Sequence, residues 1–234
     1  MEYLIEYALI FGGLIVTICA QAYISSNYRK YIKAMVQRGM NGFDTAREIL
    51  DKNGLSHILI LETQGELTDH FDPNKKIVKL STEIYHEKSI ASVAVAAHEC
   101  GHALQDKEGY PFLKFRHTLI PFVNISSKVG YIAVLLGLIM GLLDLLYVGI
   151  ALELIILLFQ LVTLPVEFNA SKRALEQLEK LGIVNNNEHD GAKKMLTSAA
   201  LTYVASVLSS LMQILRLVLI ASRGRRRWLK KLML

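Results

Sequence analysis

His98-Glu99-Cys100-Gly101-His102 is the stretch on which the reading of this chain turns. Two histidines four residues apart, with a glutamate directly after the first, suit one face of an α-helix. The four-residue step leaves the imidazoles about 40° apart around the axis, so both reach a single tetrahedral Zn²⁺ at roughly 2.0 Å. Glu99 is turned about 100° from His98. It stands beside the metal's open position, where it takes a proton from water instead of filling a coordination place. Such a pattern arises by chance in about one unrelated chain in a hundred, so its surroundings decide.

Those surroundings are helical. Ser89 to Ala97 leads in and Ala103-Leu104-Gln105 leads out, with small or apolar residues and no proline before Pro111. The spacing predicts a buried helix of about four turns. Gly101 costs that helix about 1 kcal/mol relative to alanine, which is accepted where something approaches the backbone closely. Cys100 projects from a different part of the helix and reads as a packing residue.

A catalytic zinc takes three protein ligands and leaves one position open. The metzincin spacing is excluded, because Gln105 and Glu108 stand where its glycine and third histidine would be. Downstream candidates are Glu108, His117, Asp144, Glu153, Glu167 and His189. Glu167 is favoured: it opens a segment in which Phe168, Leu175 and Leu178 line one side and charges the other, as in a half-buried helix. Pro165 just before it marks a helix start or a kink. The plain alternative is a helix N-terminal carboxylate favoured by the macrodipole. His117 beside Arg116 reads as a membrane-surface residue, and His189 falls in a polar loop, Asn185 to Gly191.

His98 to Gln105, followed by Leu164-Pro165-Val166-Glu167-Phe168-Asn169-Ala170-Ser171, resembles the bacterial neutral zinc metallopeptidases of the YugP-like family. The likeness runs from the first hydrophobic segment to Ala200-Leu201-Thr202-Tyr203-Val204-Ala205. More distantly the chain is similar to HtpX-like and CAAX-prenyl membrane proteases, whose glutamate ligand on a later helix gives the gluzincin arrangement. In those relatives an aspartate four residues after the glutamate orients a ligand histidine. Here that place holds Ser171, which accepts a hydrogen bond but adds no charge.

Composition suits a membrane protein: 52% hydrophobic residues and a mean hydropathy of +0.33, with the charges outside a few long apolar runs. Tyr7 to Ile24 holds no charge over 18 residues. Glu2 and Glu6 stand where a signal peptide would be basic, so the segment reads as a retained anchor. Lys128 to Val166 suits two spans with a turn near Asp144, and Ala199 to Ser222 carries only Arg216. Arg29, Lys30, Lys33 and Arg38 follow the anchor, so the positive-inside rule puts the N-terminus outside and residues 25–127 in the cytoplasm. The hairpin then returns Glu167 to the same face as His98 and His102. A crossing by 199–222 would put six basic residues from Arg223 to Lys231 outside. We therefore expect a surface-lying or re-entrant helix there, its basic tail on anionic lipid. That tail, and the net charge of +5, fit a membrane anchor better than a nucleic-acid site.

Between anchor and motif, Phe43 to Lys52 reads as a helix with Asp44 as N-cap and Asn53-Gly54 as its stop. Ser56 to Glu62, Leu67 to Phe71 and Ile77 to Ser81 read as strands, the last two joined by a turn at Asp72-Pro73-Asn74-Lys75. A small antiparallel sheet beside the motif helix would offer an edge to an extended peptide, or serve only as scaffold. His57, His70 and His86 lack partners at metal-binding spacing, and Cys19 and Cys100 are too differently placed for a disulfide. The expected organisation is mainly α and zincin-like: an anchor (1–24), a cytoplasmic segment (25–127), a hairpin (128–166), a third-ligand helix with polar loop (167–198), and an apolar helix with basic tail (199–234).

The function expected is a membrane-embedded zinc endopeptidase acting on protein or peptide at the bilayer, with Zn²⁺ on His98, His102 and Glu167 and with Glu99 as general base. Tyr203 is a weak candidate for an oxyanion donor. Two alternatives carry different consequences. A zinc hydrolase of a non-peptide amide or ester keeps the site, whereas a non-catalytic membrane scaffold holds no metal.

Overall fold

The structure, a computed structural model, describes residues 2–232. In chain order these form α1 (Glu2–Tyr31), α2 (Gly42–Lys52), β1 (Leu59–Thr63), β2 (His70–Asp72), β3 (Ile77–Ser81), α3 (Thr82–His86), α4 (Ile90–Glu108), α5 (Pro111–Met140), α6 (Leu143–Lys180) and α7 (Asn186–Leu232). The chain divides into two compact units. One comprises Gln21–Lys114 and Leu164–Thr202; the other comprises the residues up to Ala20, Phe115–Thr163 and those from Tyr203 onward.

The first unit is built on α4. Its small residues Ala91, Ala94, Ala96, Ala97 and Cys100 are almost wholly buried, and short side chains let neighbouring elements come close. α2 lays Ala46, Ile49 and Leu50 into the same core, joined by Val78 and Leu80 of β3 and Ile84 of α3. Each fully buried aliphatic side chain there contributes about 1.5–3 kcal/mol relative to exposure. α4 begins at Ser89, whose hydroxyl accepts from the Ser92 N–H at 3.0 Å, and ends at Gly109 in the left-handed conformation. It is 19 residues long, more than a turn beyond the expected four. α2 does stop at Asn53-Gly54, but its cap is Asn41, not Asp44. The Asn41 side chain accepts the Asp44 N–H at 2.7 Å, which leaves Asp44 inside the first turn.

The sheet is mixed, and the expectation of an antiparallel one is corrected. Its order is β1-β3-β2, with β2 and β3 antiparallel and β1 parallel to β3. The turn at Asp72 to Lys75 is present, the Asp72 carboxylate accepting the Asn74 and Lys75 N–H groups at 3.0 Å. The hairpin folds β3 back between β1 and β2 instead of beyond β2, so β3 is central and its Val78 and Leu80 are buried.

In the second unit, α5 and α6 meet at a tight turn around Gly141 (φ +69°), three residues before the expected Asp144. α6 then continues unbroken through Pro165, so Glu167 lies within the helix instead of opening one. α7 likewise starts earlier than expected. Asn185 to Gly191 is no loop: the Asn185 side chain caps the Asn187 and Glu188 N–H groups, and Glu188 returns to the Asn185 N–H at 2.9 Å, a capping box. Four helices, α1, α5, α6 and α7, are long and apolar enough to cross a membrane. Leu217 and Ala221 of α7 are buried against Val134 of α5 and Leu146 and Ile150 of α6. α7 runs antiparallel to α1, with Ser209 against Gly13 and Arg223 paired to Glu6.

α4 and α6 approach each other closely in the first unit. A Cβ on Gly101 would stand 2.5 Å from the Ala170 carbonyl oxygen, which is why this residue has no side chain. Gly101→Ala is expected to push α4 and α6 apart and cost about 1–3 kcal/mol. A fall in the thermal unfolding midpoint of the detergent-purified protein checks this.

Candidate metal centre

His98 and His102 lie one turn apart on α4, and the α4–α6 contact brings Glu167 opposite them. Glu167 is buried, His102 nearly so and His98 partly so. The His98 Nε2 and His102 Nε2 atoms stand 3.3 Å and 3.7 Å from Glu167 Oε2. One ligand atom from each of the three lies within 4.8 Å of the others. Two donors each bound at about 2.0–2.1 Å to a tetrahedral zinc are about 3.3 Å apart, so the donor set fits that ion.

The opposite edges of the two rings are also held. His98 Nδ1 meets Ser171 Oγ at 3.2 Å, and His102 Nδ1 meets Gln105 Oε1 at 3.0 Å. With Nδ1–H donated to these neutral oxygens, each ring keeps its Nε2 lone pair for a metal. Ser171 thus takes the place opposite His98 that its position four residues after Glu167 implied. Gln105 is new, although one signal was in view: it follows His102 by three residues on the same helix face. Its amide donates to the Val166 carbonyl at 2.8 Å and to Asn169 Oδ1 at 2.9 Å, and is itself fully buried.

Glu99 is buried beside the histidines. Burial pushes its carboxyl up to about 7, with His98 pulling the other way and Glu167 adding to the rise. The Phe71 backbone of β2 faces the same carboxylate and pulls it slightly the other way. Cys100 is buried with its thiol toward the Ala46 carbonyl, and burial raises that thiol far above physiological pH, as a packing residue requires.

None of the other candidates joins this cluster among the described residues. Glu108 pairs with Arg173, and His189 with Glu179 at 2.6 Å. His86 meets Glu62, His70 meets the Thr68 carbonyl, and both cysteines are free thiols. His117, Asp144, Glu153 and Tyr203 belong to the other unit.

No solved structure matches the chain. The chain is similar to a protein of Bacillus subtilis (strain 168) named "Putative membrane protease YugP", 46% identical over 206 residues that cover 88% of this chain and 92% of that one. A family model described as "Putative neutral zinc metallopeptidase" matches residues 6–222. With a match over nearly its whole length, the chain belongs to that zinc metallopeptidase family.

Proposed function

We propose that the protein is a membrane zinc endopeptidase of the gluzincin type, with His98, His102 and Glu167 as metal ligands and Glu99 as general base. The observation that carries this reading is the convergence of the three ligand atoms within 4.8 Å, beside a buried carboxylate that is not one of them. Zn²⁺ bound there supplies a Lewis acid and makes water a nucleophile near neutral pH.

The chain's own residues do the rest. Ser171 and Gln105 hold the imidazoles with Nε2 turned to the metal. Glu99, poised near pH 7, takes a proton as water adds to the scissile carbonyl and returns it to the leaving amine as the C–N bond breaks. β2 is an outer strand of the sheet and reaches Glu99 through Phe71. An extended peptide pairing with it would lie beside the general base. The four long apolar helices support an activity at a membrane, and the family's description supports protein or peptide as substrate. The cluster Arg29, Lys30, Lys33 and Arg38 after α1 supports a cytoplasmic catalytic unit.

Elemental analysis of the detergent-purified protein should find about one zinc per chain, lost in both His98→Ala and Glu167→Ala. A metal-free wild type, freshly prepared, would sink the reading in favour of a scaffold, and zinc kept in Glu167→Ala would move the third ligand elsewhere. Glu99→Gln should keep its zinc yet lose about 10²–10⁴-fold in peptide hydrolysis. Full activity in that variant would remove Glu99 from its role. Ser171→Asp should put a charged acceptor behind His98 and tighten zinc binding about tenfold, read by chelator competition.

A further inference from the structure

Gln105 is one of the largest fully buried polar side chains in the molecule, and its hydrogen bonds run in only one possible sense. Arg173 has donors and no acceptor. Its Nη1 and Nη2 go to the two carboxylate oxygens of Glu108 at 2.7 Å, and its Nε donates to Asn169 Oδ1 at 2.7 Å. The atom that Asn169 presents inward is therefore the oxygen, an acceptor. Gln105 must meet it, and the Val166 carbonyl, with its NH₂ group. That leaves the Gln105 oxygen facing His102, so the ring nitrogen there must be the protonated one.

We infer that Gln105 is a positioning residue: with Asn169 and Arg173 it fixes which ring nitrogen His102 offers to the metal, and ties that choice to the helix carrying Glu167. The inference rests on the zinc reading above. Val166, which accepts from Gln105, is the residue directly before Glu167. One buried amide therefore registers a ligand on α4 against a ligand on α6 and sets its tautomer. The described partner of His102 Nδ1 is the uncharged Gln105 oxygen, so the orientation follows from the order of donors and acceptors along the chain of side chains.

Titration of metal-free, full-length protein in detergent with Zn²⁺ against a chromophoric chelator tests this. Gln105→Met keeps the volume and removes the order; zinc should bind about 10–100-fold more weakly. Asn169→Leu, at a half-exposed position, should weaken binding about tenfold, while Asn169→Asp, which still accepts from both Arg173 and Gln105, should bind at least as tightly as wild type. Wild-type affinity in a folded Gln105→Met, or in Asn169→Leu if Gln105→Met does not fold, overturns the inference, as does equal weakening by Asn169→Leu and Asn169→Asp. A wild type that binds no zinc at all is a different result, and overturns the metal reading itself.

Discussion

The contact of Gly101 with the Ala170 backbone is the constraint on which the centre depends. α4 alone supplies two imidazoles, and two imidazoles do not make a closed site. The third donor must come from a helix whose axis lies unusually near, because a glutamate side chain reaches only a few ångströms. A missing methyl group on one helix and an alanine on the other allow that approach. The cost is about 1 kcal/mol of helix propensity at Gly101, recovered through the burial of Ala97, Cys100, Ala170 and Ala174 around it.

Around this contact the polar groups fall into two layers. The inner layer carries the carboxylate of Glu167, and the layer behind the histidines, formed by Ser171 and Gln105, is uncharged. Metal-ligating histidines commonly donate to a carboxylate, which raises the basicity of the ring. In the proposed zinc site, neutral partners would leave the rings as weaker donors and more positive charge at the ion. Such a site favours polarisation of a carbonyl over tight retention of the metal.

Much of this was legible in the sequence because it is local. The motif helix, the glycine reserved for a close neighbour and the stop at Asn53-Gly54 are all set by residues within a few positions of one another, whereas Phe168, read as part of the buried side of the Glu167 helix, is exposed. What escaped depends on partners far along the chain. The order of the three strands is decided by where a hairpin folds back, and periodicity carries no record of that. Gln105 looks like any polar residue until Val166 and Asn169, more than sixty positions on, are placed against it. The start of α7 is a different case: Asn185 and Glu188 have capping-box spacing, and the run of asparagines hid it behind a loop-like composition.

The pairing of Glu6 with Arg223 joins residues 217 apart in sequence, supported by the ring of Tyr3 beneath the guanidinium. During synthesis Glu6 is made first and waits, unmatched, until α7 emerges. α7 brings a cluster of positive charge that membrane insertion ordinarily keeps on the cytoplasmic side, and among the described residues Glu6 near the start of α1 neutralises Arg223 of that cluster. The order of synthesis thereby bears on the fold: the earlier helix acts as the receptor for the later one, and this unit closes on itself only after α7 has emerged.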